Sequence, residues 1–239
     1  MTKHDLLIKR YHQLIGHIHS LEGKYQRPSN SIKLLAVSKS QPLNKISALL
    51  QANQLDFGEN YLQEGLSKIS ALISLKISSP YNWHFIGQLQ SNKLRAIAAH
   101  FNWVQTVTSL KQAVKLGHYR GQIDQEPPNL NICIQINISR SKTKNGVLPD
   151  IALLEDLLGS INLVSNLRLR GLMTMPDPTE TIEAQSLPYC RMAELFAELQ
   201  SKGLSLDTLS MGTSHDMEAA ISAGSTLVRI GTALFGERE

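Results

Sequence analysis

Hydrophobic residues recur along this chain in two periods. Short apolar runs that stop abruptly at polar residues alternate with longer stretches in which apolar residues return every three or four positions. The runs are "IKLLAVSK", "LDFGEN", "NWHFIGQ", "WVQTV", "LNICIQIN", "LRLRGLMTM", "LDTLSMG" and "TLVRIGTALFG". Between them stand helix-like segments such as "PLNKISALLQAN", "YLQEGLSKISALI" and "TIEAQSLPYCRMAELFAELQSKG". In the last of these, Met192, Leu195, Phe196 and Leu199 share one helical face. An amphipathic helix over roughly residues 5–25 precedes the first strand. Pro42 and Asp150 stand at helix starts, and Gly203 and Gly224 fall just past helix ends.

Strands that each precede a helix call for a parallel sheet, because parallel neighbours need crossover connections. Eight such units in 239 residues predict an α/β fold, a single (β/α)8 TIM-type barrel with an extra N-terminal helix. Residues 1–239 then form one domain, with 1–30 as leading helix and linker. An open doubly wound sheet is the alternative, since alternation alone does not reveal closure. No Pro/Gly/Ser-rich linker divides the chain, and the loosest stretches are 121–130 and 139–146.

Composition narrows the partners. Hydrophobic residues are 42% and charged residues 18%, enough for a sizeable core. No run is long and apolar enough to span a membrane, and the N-terminus does not read as a signal peptide. The net charge of +4 comes from scattered lysines and arginines, and aromatics are only 5%. That pattern suits a small anionic ligand better than nucleic acid. The two cysteines, Cys133 and Cys190, lack metal-ligand spacing. They read as reduced packing residues and point to a cytoplasmic protein.

A barrel of this kind builds its site at the C-terminal ends of its strands. The polar residues there are Lys39, Glu59, Asn60, His84, Gln88, Asn137, Thr174, Ser210 to Ser214, Arg229 and Thr232, with Met173 and Gly231 among them. Any one alone could be an ordinary strand cap. The segments "MGTSHD" and "RIGTALFG", however, follow strands seven and eight, where barrels frequently bind phosphate. Gly212 and Gly231 admit an anion close to the backbone, and Ser214 and Thr232 can donate hydroxyl hydrogen bonds. Asp216 reads as the cap of the next helix. Lys39 shares an inward face with Val37 and Leu35. A lysine amine held neutral at the mouth condenses with aldehydes to a Schiff base. A phosphorylated aldehyde fits both features, whether a sugar phosphate or pyridoxal 5′-phosphate (PLP).

"LLAVSKSQP", "FGENYLQE", "WHFIGQLQSNK", "GLMTM" and "LSMGTSHDMEAAISAGSTLVRIGTALFG" together resemble the PLP homeostasis protein family, known as YggS or PROSC. The resemblance runs from about residue 32 to residue 236 in order and spacing. It implies a barrel like that of alanine racemase, with PLP as cofactor. Lys39 would hold PLP as a covalent Schiff base. Ser214, Gly231 and Thr232 would hold its phosphate, Arg229 would face the pyridine nitrogen, and Asn60, His84 and Met211 would line the site. No metal is implied. Two departures stand out: Thr213 replaces a methionine common in relatives, and the 139–146 loop lacks an acidic residue but keeps Lys144 and Gly146.

Two functions fit that site. One is a carrier that buffers or delivers PLP in vitamin B6 homeostasis, with apo PLP-dependent enzymes as recipients. The other is a PLP-dependent amino-acid racemase or another PLP enzyme of the alanine racemase fold. A two-base racemase needs a second acid/base within about 3 Å of the substrate proton or one water away. In the racemases that group comes from a further β domain and a partner subunit, and this sequence stops at Glu239. Tyr61 is a poor substitute, since it reads as the start of a helix. The expectation is therefore a monomeric, non-enzymatic PLP carrier. A Schiff-base aldolase ranks third, because Arg229 and "GEN" suit a pyridine ring better than a sugar.

Overall fold

A computed structural model of the chain describes residues 3–75, 80–123, 128–179 and 181–236. The elements follow the hydrophobic periods. They begin with α1 (Lys3–Lys24), β1 (Lys33–Val37), α2 (Leu43–Gln51), β2 (Asp56–Glu59), α3 (Leu62–Ser74) and β3 (Asn82–Phe85). Next come α4 (Leu94–His100), β4 (Trp103–Val107), α5 (Leu110–Arg120), β5 (Leu130–Ile136), α6 (Ile151–Asn162) and β6 (Leu167–Thr174). The chain continues through α7 (Ile182–Ser201), β7 (Thr208–Ser210), α8 (Met217–Ser222), β8 (Leu227–Ile230) and α9 (Thr232–Phe235). Every strand pairs in parallel with the next, and β1 pairs with β8, with Leu35 opposite Arg229. The sheet is a closed eight-stranded barrel, which removes the open-sheet alternative.

The main core lies between sheet and helices. Phe57, Trp83 and Phe85 from strands meet Ile46, Leu49, Leu72 and Ile97 from helices, and all are fully buried. The face of Met192, Leu195, Phe196 and Leu199 on α7 is buried as its spacing requires. Cys133 is buried, but Cys190 is exposed and is not a packing residue, because Tyr189 and Met192 occupy the inner face of α7. No described helix is long and apolar enough to cross a membrane.

The final run, "TLVRIGTALFG", is not one strand. The backbone turns at Gly231 (φ −112°, ψ −80°), and Thr232–Phe235 form a single helical turn. One turn is too short to cover β8. The N-terminal helix supplies the cover: α1 packs on α9, α8 and α2 through a stripe of Leu7, Tyr11, Leu14, Ile18 and Leu21. Glu22, at the end of that stripe, is 2% exposed and accepts hydrogen bonds from the Asn30 and Ile32 amides. It fastens the loop leading into β1.

Helix ends agree with sequence in four places and differ in one. Pro42 precedes α2, the Asp150 side chain caps α6 through the Leu153 amide, and Gly203 and Gly224 take positive φ after their helices. Asp216 precedes α8 but its carboxylate does not cap it. It turns back to accept from the Thr213 amide (2.6 Å), the Thr213 hydroxyl (2.8 Å) and the Tyr189 hydroxyl (2.6 Å). Of the loose 121–130 stretch, residues 124–127 lie outside the described residues.

Candidate functional site

A cavity of about 390 Å³ opens at the C-terminal mouth of the barrel. Lys39, Asn60, Ser214, Arg229, Gly231 and Thr232 line it, six of the eight residues expected there. Val37, Ile86 and Met173 provide apolar wall, and Gln88, Thr106, Gln135 and Asn145 provide polar wall. Among the described residues no carboxylate lines it, whereas Lys39 and Arg229 both do. The field inside favours an anion.

Strand β1 ends at Val37, so Lys39 stands in the turn beyond it. That turn is held tightly. Gln41 N–H donates to the Ser38 carbonyl (3.0 Å), and Ser40 adopts a left-handed φ of +61°. The Ser38 hydroxyl donates to Glu59 (2.7 Å) and the Ser40 amide donates to Glu64 (2.5 Å). Lys68 Nζ joins both, donating to the Ser38 carbonyl, Glu59 and Glu64 at 2.6–2.7 Å. Both neighbours of Lys39 are thus tied to one cluster of charges. Glu59 is fully buried, and burial pushes its carboxyl up, partly offset by hydrogen bonds from Lys68 and Ser38. Glu59 ends a strand as the sequence indicated, but it does not line the cavity. Adjacent strand residues point to opposite faces, and Asn60 takes the inward one.

Two glycines near the proposed phosphate position differ in kind. Gly212 has φ +96°, and a Cβ there would lie 2.6 Å from the Ala220 methyl, so the fold itself requires glycine. Gly231 has a negative φ, and the nearest atom to an added Cβ would be 3.6 Å away. A methyl there would meet Val37 only in ordinary van der Waals contact, in the wall of the cavity. Ser214 Oγ accepts from the Ala233 amide (3.3 Å), linking the two segments. The Thr213 hydroxyl hydrogen is committed to Asp216, so it is not a donor to the cavity.

Arg229 enters from β8 and is 6% exposed. Its Nη1 donates to Ser210 Oγ and its Nη2 to the Thr174 carbonyl, both at 2.8 Å. Ser210 continues to Gln105 (2.7 Å), Gln105 to His84 Nδ1 (3.0 Å), and His84 Nε2 to Asp56 (3.1 Å). His84 is therefore below the cavity, not in its lining. It is 1% exposed and stacks on Trp103 at 5.0 Å. Burial holds its imidazole below the usual histidine value, with Asp56 opposing. Burial also raises the Asp56 carboxyl, but hydrogen bonds from His84 and Asn82 outweigh it and leave Asp56 below the ordinary range. Met211 likewise does not line the cavity. Ser210 points inward, so Met211 points outward into the main core at 0% exposure.

Sequence reasoning missed Gln105, Thr106 and Gln135. The signal for the first two was present: "WVQTV" carries two adjacent polar residues in a strand that is buried throughout. Asn137 braces the 139–146 loop, bonding Ser141 N, Ser141 O and Lys144 O. Lys144 reaches the Met175 and Pro176 carbonyls and the Asp177 carboxylate, so this loop is strapped to the one after β6. Tyr61 precedes α3, is 62% exposed and is absent from the cavity lining.

The profile of the alanine racemase N-terminal domain matches residues 19–239. A Pseudomonas aeruginosa protein named pyridoxal phosphate homeostasis protein is 47% identical, over 89% of this chain and 87% of its own. The chain belongs to that family. An Escherichia coli K12 protein of the same name is 46% identical, over 89% of this chain and 88% of its own. Among solved structures, PipY of Synechococcus elongatus with PLP bound is 31% identical with a TM-score of 0.80. That match covers 96% of this chain and all of PipY.

Proposed function

We propose that the protein binds PLP at the barrel mouth and serves vitamin B6 homeostasis, buffering the cofactor or delivering it to apo PLP-dependent enzymes in the cytoplasm. The carrying observation is one cavity that joins Lys39, a cationic Arg229 and the side-chain-free backbone of Gly231. Its size lies within the usual range for small-ligand sites. The relatives' names and the PLP-bound PipY support the same cofactor.

Lys39 would attach the cofactor covalently, its turn fixed by the Glu59–Glu64–Lys68 cluster. Ser214, Gly231 and Thr232 would hold the phosphate, and Asn60 would stand beside the ring. When bound, PLP supplies an aldehyde and an electron-withdrawing pyridine. Arginine has donors only, so Arg229 would keep the ring nitrogen unprotonated and weaken that withdrawal. This argues against transamination, and the position of Tyr61 away from the cavity argues against its use as a second acid/base. On this reading the chain acts as one monomeric PLP-binding domain, with no metal, membrane or nucleic acid involved.

Purified protein should absorb as a protonated PLP Schiff base, and borohydride should trap the cofactor on Lys39. Lys39→Ala should abolish the trapped adduct, and an unchanged adduct overturns the assignment. Loaded protein should transfer PLP to an apo-enzyme faster than free PLP exchange allows. Lys39-dependent racemisation of an amino acid would instead establish the enzyme.

A further inference from the structure

Behind Arg229 a line of side chains crosses the barrel interior from its mouth toward its base. Asp56, His84, Gln105, Ser210 and Arg229 come from β2, β3, β4, β7 and β8, and apart from Asp56 each is at most 6% exposed. The direction of every hydrogen bond in this line follows from chemistry. Arginine cannot accept, so Nη1 gives its hydrogen to Ser210 Oγ. The Ser210 hydrogen then goes to Gln105 Oε1. With its carbonyl end spent, Gln105 presents its NH2 to His84 Nδ1, which must accept. The imidazole proton therefore sits on Nε2 and is donated to Asp56, which as a carboxylate can only accept.

The reverse order is disfavoured at both ends. A flipped Gln105 would aim its NH2 at Ser210 Oγ, which would then accept from both Arg229 and Gln105 and lose the acceptor of its own hydrogen. It would also demand a proton on His84 Nδ1. The neutral ring would then set the bare Nε2 against the Asp56 carboxylate. A doubly protonated ring would be a second buried cation, stacked on the indole that already carries Arg170 at 4.7 Å.

From this we infer that Ser210, Gln105, His84 and Asp56 form a one-way chain whose function is to position Arg229 against the ligand in the cavity. They are positioning residues. Arg229 is a buried cation, and no carboxylate of the described residues is in salt-bridge range of it. The chain supplies an acceptor in its place and ends on the negative charge of Asp56. It holds the guanidinium from behind without placing an acid beside the ring.

The inference rests on the PLP reading above, and the experiment separates the two. In protein carrying ¹⁵N-labelled histidine, the His84 resonance should show a proton on Nε2 and none on Nδ1, with and without PLP. A proton on Nδ1 overturns the chain. Gln105→Leu and Ser210→Ala should each weaken PLP binding about tenfold and shift the absorbance band of the Lys39 adduct. Gln105→Glu accepts at both ends, so it should put a second proton on His84 while keeping PLP affinity within about threefold of wild type. If Gln105→Leu fails to fold, the other two variants and the wild-type spectrum still decide. Wild-type protein that forms no Lys39-dependent adduct defeats the functional reading. A normal wild-type adduct with unchanged band and affinity in the folded variants defeats only the chain.

Discussion

Gly231 lines the cavity, Gly212 packs against Ala220, and the two answer to different demands. Gly231→Ala meets no steric obstacle in the free protein, so its stability should stay within about 0.5 kcal/mol of wild type. Its PLP affinity should nevertheless fall about tenfold, read by absorbance titration, if Gly231 holds the phosphate as proposed, since a methyl would project where the anion approaches the backbone. Gly212→Ala should instead lose roughly 1–3 kcal/mol of stability, because φ +96° and the Ala220 contact oppose any side chain. Arg229→Ala should weaken PLP binding between about tenfold and a hundredfold, the range for a hydrogen bond from a charged donor. Arg229→Lys should not restore it, because an ammonium cannot reach Ser210 and the Thr174 carbonyl as a fork while still facing the ligand.

Among the elements, the turn after β1 has the most at stake. Lys68 from α3 neutralises two glutamates that hold it, and Glu59 is fully buried. Lys68→Met leaves that carboxylate without its cation. Breaking a buried pair from one side costs about 3–5 kcal/mol, and thermal unfolding should show a fall of at least 6 °C. The order of strands and helices was legible because apolar period changes at each boundary. So were Lys39, Arg229 and the Ser214 segment, because a polar residue that interrupts an apolar run is visible in one dimension. The interior chain was not. The adjacent polar pair Gln105 and Thr106 marked the strand as unusual, but nothing local named the partner of Gln105, because Ser210 is 105 residues away. The role of α1 was equally hidden, since nothing local says that the last helix is one turn long.

For the molecule as a whole, the neutral His84 at the centre of the barrel links stability to pH. Burial depresses its folded-state value, so the unfolded chain binds a proton that the folded chain refuses. Stability is full above the ordinary histidine value of about 6.5 and is lost as pH falls below it toward the folded value. Unfolding midpoints measured across that window should drop with acidification, and His84→Gln should flatten the drop. A midpoint that rises on acidification would contradict a neutral ring.

The seam of the barrel also carries a consequence in time. Lys39 follows the first strand, Arg229 and Gly231 belong to the last, and β1 has no partner on one side until β8 exists. A ribosome makes the lysine long before it makes the arginine and the turn at Gly231. The stripe on α1 must likewise wait for α8 and α9. A nascent or truncated chain therefore presents Lys39 without the rest of the proposed site. On the proposed function, retention would begin only when synthesis of the barrel is complete, and unfinished copies would not withdraw cofactor.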